Sequence, residues 1–236
     1  MVEMNFSRAN PEHVIGLRRV DELAEWSGNR IGAGVTYTTM EHGPINALAQ
    51  AARTVGSPQI RNAGTLGGNL GTASPAGDTL PVLAAVDADV ELRSTTHTRT
   101  LSWNEFITGV KRTQRRPGEL ITAAVLPEDM PRRQAFAKIG VRNAMVISMV
   151  SACLMRWDDG RTTIALGAVG PTPIRAYQAE AMISAEKRPS QEAVEEFGRI
   201  VMEEVRPITD HRGTESYRRH AAGVLARRLL ERCLAA

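Results

Sequence analysis

Hydrophobic and polar residues follow recognisable spacings through the first half of this chain. From Pro44 onward, apolar residues recur with the spacing of one helix face and stop at a glycine, which predicts a helix over residues 44–56. The segment RIGAGV predicts a strand that closes in a glycine turn. Further strands are predicted over residues 89–94, 98–101 and 120–126, and the last of these stops at Pro127.

The pattern changes after residues 126–133, a segment that contains two prolines and four charged residues. This composition is typical of a linker, so we expect one domain over residues 1–128 and a second over residues 129–236. In the second domain, strands are predicted over residues 134–141, 144–157 and 162–169, with Asp158-Asp159-Gly160 as the turn between the last two. Helices are predicted over residues 174–183, 191–205 and 215–234, so the second domain is a sheet covered by helices.

The last predicted helix has an apolar face opposite four arginines. The apolar face comprises Tyr217, Ala221, Val224, Leu225, Ala226 and Leu229, and the arginines are Arg218, Arg219, Arg227 and Arg228. Other arginine pairs are scattered and have no interleaved aromatic residues, so we interpret them as solvated faces or subunit contacts rather than a nucleic-acid surface. The formal net charge of +3 is also too small to indicate a nucleic-acid-binding protein.

The composition, with 42% hydrophobic and 23% charged residues, is that of an ordinary globular protein. The two cysteines, Cys153 and Cys233, lack the spacing of a zinc or cluster site, so we expect the chain to bind no metal by itself. Cys153 lies in the longest apolar run, AMVISMVSACLM, which predicts a buried, inert thiol. That run is shorter than the ~20 residues of a membrane span, and the first residues do not resemble a signal peptide, so we expect a cytoplasmic protein.

A glycine-rich stretch, QIRNAGTLGGNLGTASPAGDTLP, occupies residues 59–81 and is the strongest candidate for a ligand site. Adjacent Gly67 and Gly68 could aim backbone N–H groups at one point and so form a nest for an anion. Ser74 and Pro75 are a favourable N-cap and first helical residue, so we expect a helix to begin there, with Asp78 about one turn into it. The stretch also offers side-chain hydroxyl and amide groups that could form hydrogen bonds with a polyol or sugar. These groups belong to Thr65, Asn69, Thr72 and Ser74.

The stretch matches neither of two common phosphate-binding motifs. It has no GK[ST] sequence, and no predicted strand runs directly into it as in the GxGxxG dinucleotide fingerprint. From local chemistry alone, a phosphate-bearing ligand and a tight structural turn remain alternatives.

Four motifs in order resemble the medium, FAD-binding subunit of the molybdenum hydroxylases, the family of xanthine dehydrogenase and aerobic carbon monoxide dehydrogenase. They read IGAGVTYTTME, QIRNAGTLGGNLGTASPAGDTLPVLAAVDADVEL, GAVGPTPIRA and ESYRRHAAGVLARRLLERC, and the match covers nearly the whole chain. The resemblance implies an α+β protein. It would have a vanillyl-alcohol-oxidase-type (PCMH-type) FAD-binding domain, followed by a smaller domain of a three-stranded antiparallel sheet with helices.

The resemblance also implies a set of FAD-binding residues and no catalytic side chain. Residues of the TLGGN segment would contact FAD mainly through their backbone, and nearby polar residues would line the same cofactor. The ring would lie near the residues that end the preceding helix, with Ile121 packed on it and Lys138 at its edge. The full set is Val55, Gly56, Gly64, Thr65, Leu66, Gly67, Gly68, Asn69, Thr72, Ser74, Asp78, Ile121 and Lys138.

The front of the chain departs from the family pattern. Family members begin with a small subdomain that ends in a second glycine loop of the type AGGTDL, whereas this sequence starts at MVEMNF and resembles the segment after that loop. We therefore expect an N-terminally truncated FAD domain with one of two backbone cradles for the diphosphate, and hence weak FAD binding and poor solubility of the chain alone.

By the same resemblance, electrons would pass from a large molybdenum-cofactor subunit through 2Fe-2S clusters on a small subunit to FAD on this chain. The external acceptor would be NAD, a quinone or oxygen, and molybdopterin and the iron–sulfur clusters would reside on the partners only. Two alternatives remain open from the sequence. One is a truncated, flavin-free assembly or interaction subunit of the same complex, and the other is a basic nucleic-acid module, which predicts salt-sensitive binding.

Overall fold

The computed structural model describes residues 10–236; the MVEMNF start lies outside the described residues. The first half combines short helices with an antiparallel sheet, whose order in the described part of the chain is β1-β2-β7-β3-β4. Its helices are α1 Asp21–Ala24, α2 Tyr37–Glu41, α3 Asn46–Arg53, α4 Pro58–Ala63, α5 Leu66–Thr72, α6 Leu80–Ala85 and α7 Trp103–Phe106. Its strands are β1 Trp26–Ser27, β2 Arg30–Gly32, β3 Asp89–Arg93, β4 Thr98–Ser102, β5 Ile107–Gly109, β6 Arg112–Thr113 and β7 Leu120–Val125. Strands β5 and β6 pair with each other as a separate hairpin.

The second half is a sheet of order β11-β10-β9-β8 with three helices on one face. Its strands are β8 Arg133–Ile139, β9 Val150–Arg156, β10 Thr162–Gly167 and β11 Ile174–Arg175. Its helices are α8 Tyr177–Ser184, α9 Gln191–Glu204 and α10 Glu215–Leu234. The three predicted long strands are present, and the two-residue strand β11 extends the sheet at one edge.

Every residue of β9 is buried, because both faces of its sheet are covered. Cys153 and Met155 point into the core of the first half, whereas Ala152 and Leu154 point toward the helices of the second half. A strand covered on both faces reads as a continuous apolar run, which explains the segment AMVISMVSACLM. The predicted buried thiol of Cys153 is confirmed, and its burial raises the pKa of that thiol.

Two predicted boundaries in the second half are wrong. The strand expected from residue 144 begins only at Val150, because residues 144–149 form a connection in which Met145 has a left-handed φ of 49°. The helix expected from residue 174 begins at Tyr177, because Ile174 and Arg175 pair with β10 instead. Tertiary pairing at the sheet edge thus overrides the helical spacing there.

The predicted C-terminal helix is confirmed as α10, which Thr214 caps by accepting a hydrogen bond from the backbone N–H of Tyr217. One of its arginines contradicts the predicted solvated face. Arg218 is 3% exposed, donates to the carbonyls of Met149 and Ala168, and pairs with Asp210. The guanidinium therefore fixes α10 against the sheet.

The two halves share a hydrophobic core. Phe136, Cys153, Met155 and Ala165 of the second sheet belong to the same buried cluster as α3, α6 and the first sheet. The predicted domain limits, residues 1–128 and 129–236, stay a prediction. No helix within residues 10–236 is long and apolar enough to cross a membrane.

Candidate functional site

The TLGGN segment forms the start of helix α5 rather than an open nest. Thr65 is the N-cap, and its hydroxyl accepts the backbone N–H of Gly68 at 3.1 Å. The backbone N–H of Gly67 donates to the carbonyl of Ala33 at 2.8 Å. Both N–H groups are therefore used within the chain, and the predicted anion nest is wrong in this conformation.

Two glycines of this stretch are required by close packing rather than by positive φ. A Cβ on Gly67 would lie 2.6 Å from the Cβ of Ala33, and a Cβ on Gly64 would lie 2.7 Å from the ring of Tyr37. Side chains do not tolerate such distances, so these positions let α5 and the residue before its N-cap pack directly on Ala33, which follows β2, and on α2.

Two other glycines leave a bare face on α5. Gly68 and Gly71 are exposed and lie three residues apart, hence on the same side of the helix. A Cβ on Gly68 would meet only the Thr65 hydroxyl at 3.2 Å, and one on Gly71 would meet only Ile121 Cδ1 at 3.5 Å. The main chain of α5 is thus accessible to another molecule beside an apolar side chain, and the hydroxyl of Thr72 lies one turn after Gly68.

The predicted helix start at Ser74 and Pro75 is wrong. Helix α5 ends at Thr72 and is followed by its C-cap Ala73, which has a left-handed φ of 44°; the chain then turns until α6 begins at Leu80. The carbonyl of Pro75 accepts the backbone N–H of Ala168 at 2.7 Å, so the second half of the chain holds this turn. Ser74 accepts the backbone N–H of Ala76 rather than capping a helix.

Asp78 and Lys138 form a buried ion pair at 2.6 Å that joins the two halves of the chain. The Ser148 hydroxyl donates to the other carboxylate oxygen of Asp78 at 2.5 Å. Lys138 Nζ also donates to the carbonyls of Thr54 and Val146, at 3.0 and 3.1 Å. Because an ammonium has three N–H donors, this arrangement engages all of them.

Burial is the largest influence on the pKa of Asp78. It raises the pKa of Asp78, while the charge of Lys138 and the hydrogen bonds from Lys138 and Ser148 oppose that rise. Burial, followed by the nearby charge of Asp78, also raises the pKa of Tyr37.

Two side chains of the TLGGN segment, those of Leu66 and Asn69, face the interior of the protein. Leu66 is fully buried in the first core. Asn69 accepts a hydrogen bond from the Thr79 hydroxyl at 2.6 Å and also bonds to Tyr37. Since Thr79 adjoins Asp78, Asn69 connects α5 to the buried ion pair.

A cavity of about 900 Å³ opens beside this ion pair, between the end of α3 and the connection that follows β8. Four cations and no carboxylate line it, but Arg53 and Arg61 pair with Glu41, and Lys138 pairs with Asp78. Among the described residues, Arg142 therefore brings the positive charge that favours an anionic or electron-rich ligand. The predicted residues Gly56, with a φ of 48°, and Lys138 both contribute to the wall, whereas Val55 packs against the first core. The cations are Arg53, Arg61, Lys138 and Arg142.

Sequence reasoning missed several residues of this region. Thr54 and Arg142 line the cavity, and Ser148 supports Asp78. Ser148 carried a usable signal, because most buried hydroxyls within an apolar run such as AMVISMVSACLM have a hydrogen-bond partner, although Ser151 of the same run has none among the described residues. Thr54 and Val146 act through backbone carbonyls, which leave no signal in the side-chain pattern.

Several of the predicted residues thus fall into two groups, whereas Leu66 and Val55 pack in the first core and Ser74 lies in the turn after α5. The first group is the bare face of α5 with Ile121, and the second is the ion pair of Asp78 and Lys138 beside the cavity. Within residues 10–236, no group of three or more His, Cys, Asp or Glu side chains is placed to hold a metal ion.

Comparisons with known proteins agree on one family. A family model described as the FAD binding domain in molybdopterin dehydrogenase matches residues 1–129, and the CO dehydrogenase flavoprotein C-terminal domain matches residues 135–233. The nicotinate dehydrogenase FAD-subunit of Eubacterium barkeri is 34% identical over 201 residues, which cover 78% of this chain and 68% of that protein. The putative xanthine dehydrogenase FAD-binding subunit XdhB of Escherichia coli K12 is 27% identical over 253 residues, which cover 100% of this chain and 86% of that protein.

Solved structures give the same result for the fold. The carbon monoxide dehydrogenase of Hydrogenophaga pseudoflava that lacks the Mo-pyranopterin moiety superposes with a TM-score of 0.89 at 28% identity, covering 99% of this chain and 86% of that one. Reconstituted CO dehydrogenase from Oligotropha carboxidovorans gives a TM-score of 0.90 at 26% identity, with the same coverage.

Proposed function

The chain belongs to the family of FAD-binding flavoprotein subunits of the molybdenum hydroxylases, and from this premise we propose that it passes electrons from iron–sulfur clusters of a partner subunit through FAD to an external acceptor. It is a subunit of an oxidoreductase. The observation that carries the proposal is the bare face of α5, where Gly68 and Gly71 leave the main chain accessible beside Ile121.

The residues present fit FAD. A bare helix face next to a branched apolar side chain suits a flat ring or a chain that lies against the backbone. The hydroxyls of Thr65 and Thr72 border that face, and the guanidinium of Arg142 in the wall of the cavity beside Lys138 suits the phosphates or the electron-rich edge of a flavin. Gly68, Gly71, Ile121 and Lys138 are therefore the residues that we propose hold the cofactor.

FAD, when bound, supplies the redox chemistry, and the chain supplies binding, orientation and electrostatics. Lys138 lies in the cavity wall, where Asp78 holds its ammonium in place, and Ser148 in turn donates to the Asp78 carboxylate. The packing of Ile121 beside Gly71 provides an apolar wall that excludes water. None of these roles requires a nucleophile or an acid–base group.

We propose that the partners are a large molybdenum-cofactor subunit and a small 2Fe-2S subunit, in the cytoplasm. Support comes from relatives named as medium chains or FAD-subunits of carbon monoxide, nicotinate and xanthine dehydrogenases. The substrate would be selected on the molybdenum subunit, and the acceptor would be NAD, a quinone or oxygen.

Substitution of Gly68 by Val tests the proposed contact surface. The branched side chain would cover the bare face of α5, so we expect the dissociation constant for FAD to rise by about tenfold or more. Titration of the purified full chain with FAD, followed by flavin fluorescence, measures this constant.

Gly16→Val is the matched control, because a Cβ at Gly16 meets nothing within 4 Å and Gly16 lies outside the site. This variant should bind FAD as the unaltered chain does, and circular dichroism should show the same helix content in all three proteins. Equal FAD affinity of the Gly68→Val and Gly16→Val variants would count against the proposed placement. A chain that binds no FAD at all would favour the flavin-free assembly subunit.

A further inference from the structure

A basic hairpin, defined here as residues 109–118, projects beside the candidate cofactor site. It contains Lys111, Arg112, Arg115 and Arg116 and no acidic residue. All four cationic residues are exposed. The backbone N–H of Lys111 donates to the carbonyl of Ala73 at 3.0 Å, which places the hairpin tip at the C-terminal end of α5.

The arginines of this hairpin differ from many others in the protein. Arg30, Arg61 and Arg175, for example, pair with carboxylates of the same chain. In the part of the chain that the structure describes, Arg112, Arg115 and Arg116 have no carboxylate partner. These three arginines therefore present positive charge that no carboxylate among residues 10–236 compensates.

Hydrogen bonds to the side chains of Glu119 and Arg99 hold the backbone of the hairpin in place. The carboxylate of Glu119 is 1% exposed, accepts the backbone N–H of Arg116 at 2.7 Å, and accepts Arg99 Nε at 2.7 Å. Arg99 Nη2 also donates to the carbonyl of Gln114 at 2.7 Å. The hydrogen bonds from Arg99 and Arg116 lower the pKa of Glu119 to about 2, so this carboxylate stays ionised and bound to the loop. A surface ordered in advance loses less entropy when it binds.

The composition of the surface favours a protein partner. Two exposed apolar side chains, Val110 and Leu120, flank the arginines. Arginine mixed with apolar side chains is typical of protein interfaces, whereas residues 107–120 contain no aromatic residue on which a nucleic-acid base could stack. Exposed positive charge on a rigid loop selects a partner with complementary negative charge.

We propose that the basic hairpin docks on an acidic surface of a partner subunit of the complex, an inference that rests on the function proposed above. Docking at this point brings the partner next to α5, where the cofactor is proposed to lie. The contact sets which side of the chain faces the partner.

The test compares two double variants of the tagged full chain, each produced in its source cells and purified with its complex. Arg112→Glu/Arg116→Glu reverses the charge of two arginines in the hairpin. Arg188→Glu/Arg228→Glu reverses the charge of two exposed arginines elsewhere, with the same change in net charge. Molybdenum and iron per chain are measured after washing at about 50 mM and about 500 mM salt, because screening separates charge-driven contacts from others.

We expect the hairpin variant to retain about tenfold less of the partners' metals than the unaltered chain at low salt, with a smaller difference at high salt. The control variant should retain them, and the flavin content should be the same in all three chains. Equal metal retention by the hairpin variant overturns the proposal, as does equal loss from both variants.

Loss of flavin from the hairpin variant alone also overturns the docking proposal, because the hairpin would then contribute to cofactor binding. Flavin content of the unaltered complex reports on the proposed function separately. A flavin-free complex that still loses its metals on reversal of the hairpin charge would contradict the function and support the docking surface.

Discussion

The ammonium of Lys138 is fully engaged by the chain itself. Its three acceptors are Asp78 Oδ2 and the carbonyls of Thr54 and Val146. The sequence predicted Lys138 at the edge of a flavin, and the structure places it in the cavity wall. Any ligand that bonds to this ammonium has to replace one of the three acceptors, two of which are backbone atoms without a sequence signal.

The stability of the protein should depend on the buried ion pair of Asp78 and Lys138. In Asp78→Ala, the Lys138 ammonium stays buried without its carboxylate, so we expect a loss of about 3–5 kcal/mol of unfolding free energy. In Asp78→Ala/Lys138→Met the uncompensated charge is absent, and most of that loss should be recovered. Urea denaturation of the full chains measures both values, and a double variant no more stable than Asp78→Ala would contradict the assignment.

Burial of charged residues is where sequence reasoning was weakest. Arg175 lies in the GAVGPTPIRA motif and is 7% exposed, with Glu180 and Asp87 as its carboxylate partners. Arg218 was assigned to a solvated face and is buried. Each has one carboxylate partner nearby in sequence, Glu180 or Asp210, but the contacts that bury it come from distant segments, such as Asp87 for Arg175 and the Met149 carbonyl for Arg218. A local pattern contains no information on those distant contacts.

At the scale of elements, helices with a regular apolar face were predictable. Residues of α3 and α10 repeat with helical spacing, and both helices form near the predicted limits. Helix α5 was not predicted, because its sequence LGGNLGT is rich in glycine and has low intrinsic helix propensity. It forms because Thr65 caps it and Gly67 lets it pack directly on Ala33.

Comparison of two adjacent glycines tests this account of α5. Gly67→Ala puts a Cβ 2.6 Å from that of Ala33, and we expect it to cost about 1–3 kcal/mol through overpacking. Gly68→Ala meets only the Thr65 hydroxyl and adds a better helix former, so its stability should be equal or slightly higher. Thermal unfolding of the two full chains provides the measurement. Equal stability of the two variants would show that α5 does not depend on close packing at Gly67.

At the scale of the whole molecule, the candidate site requires both halves of the chain. Asp78 comes from the first half, and Lys138 and Ser148 come from the second. The sheet of the second half also buries one face in the core of the first. The sequence predicted most of the strands and helices of the second half, but periodicity alone cannot show which sheet face packs on which half of the chain.

The most direct measurement of the central claim is the amount of FAD per chain in the complex purified from source cells, with molybdenum and iron measured in the same sample. We expect roughly one FAD per chain together with both metals, because the family assigns the flavin to this subunit and the bare face of α5 fits it. A complex that contains molybdenum and iron but no flavin would contradict the account.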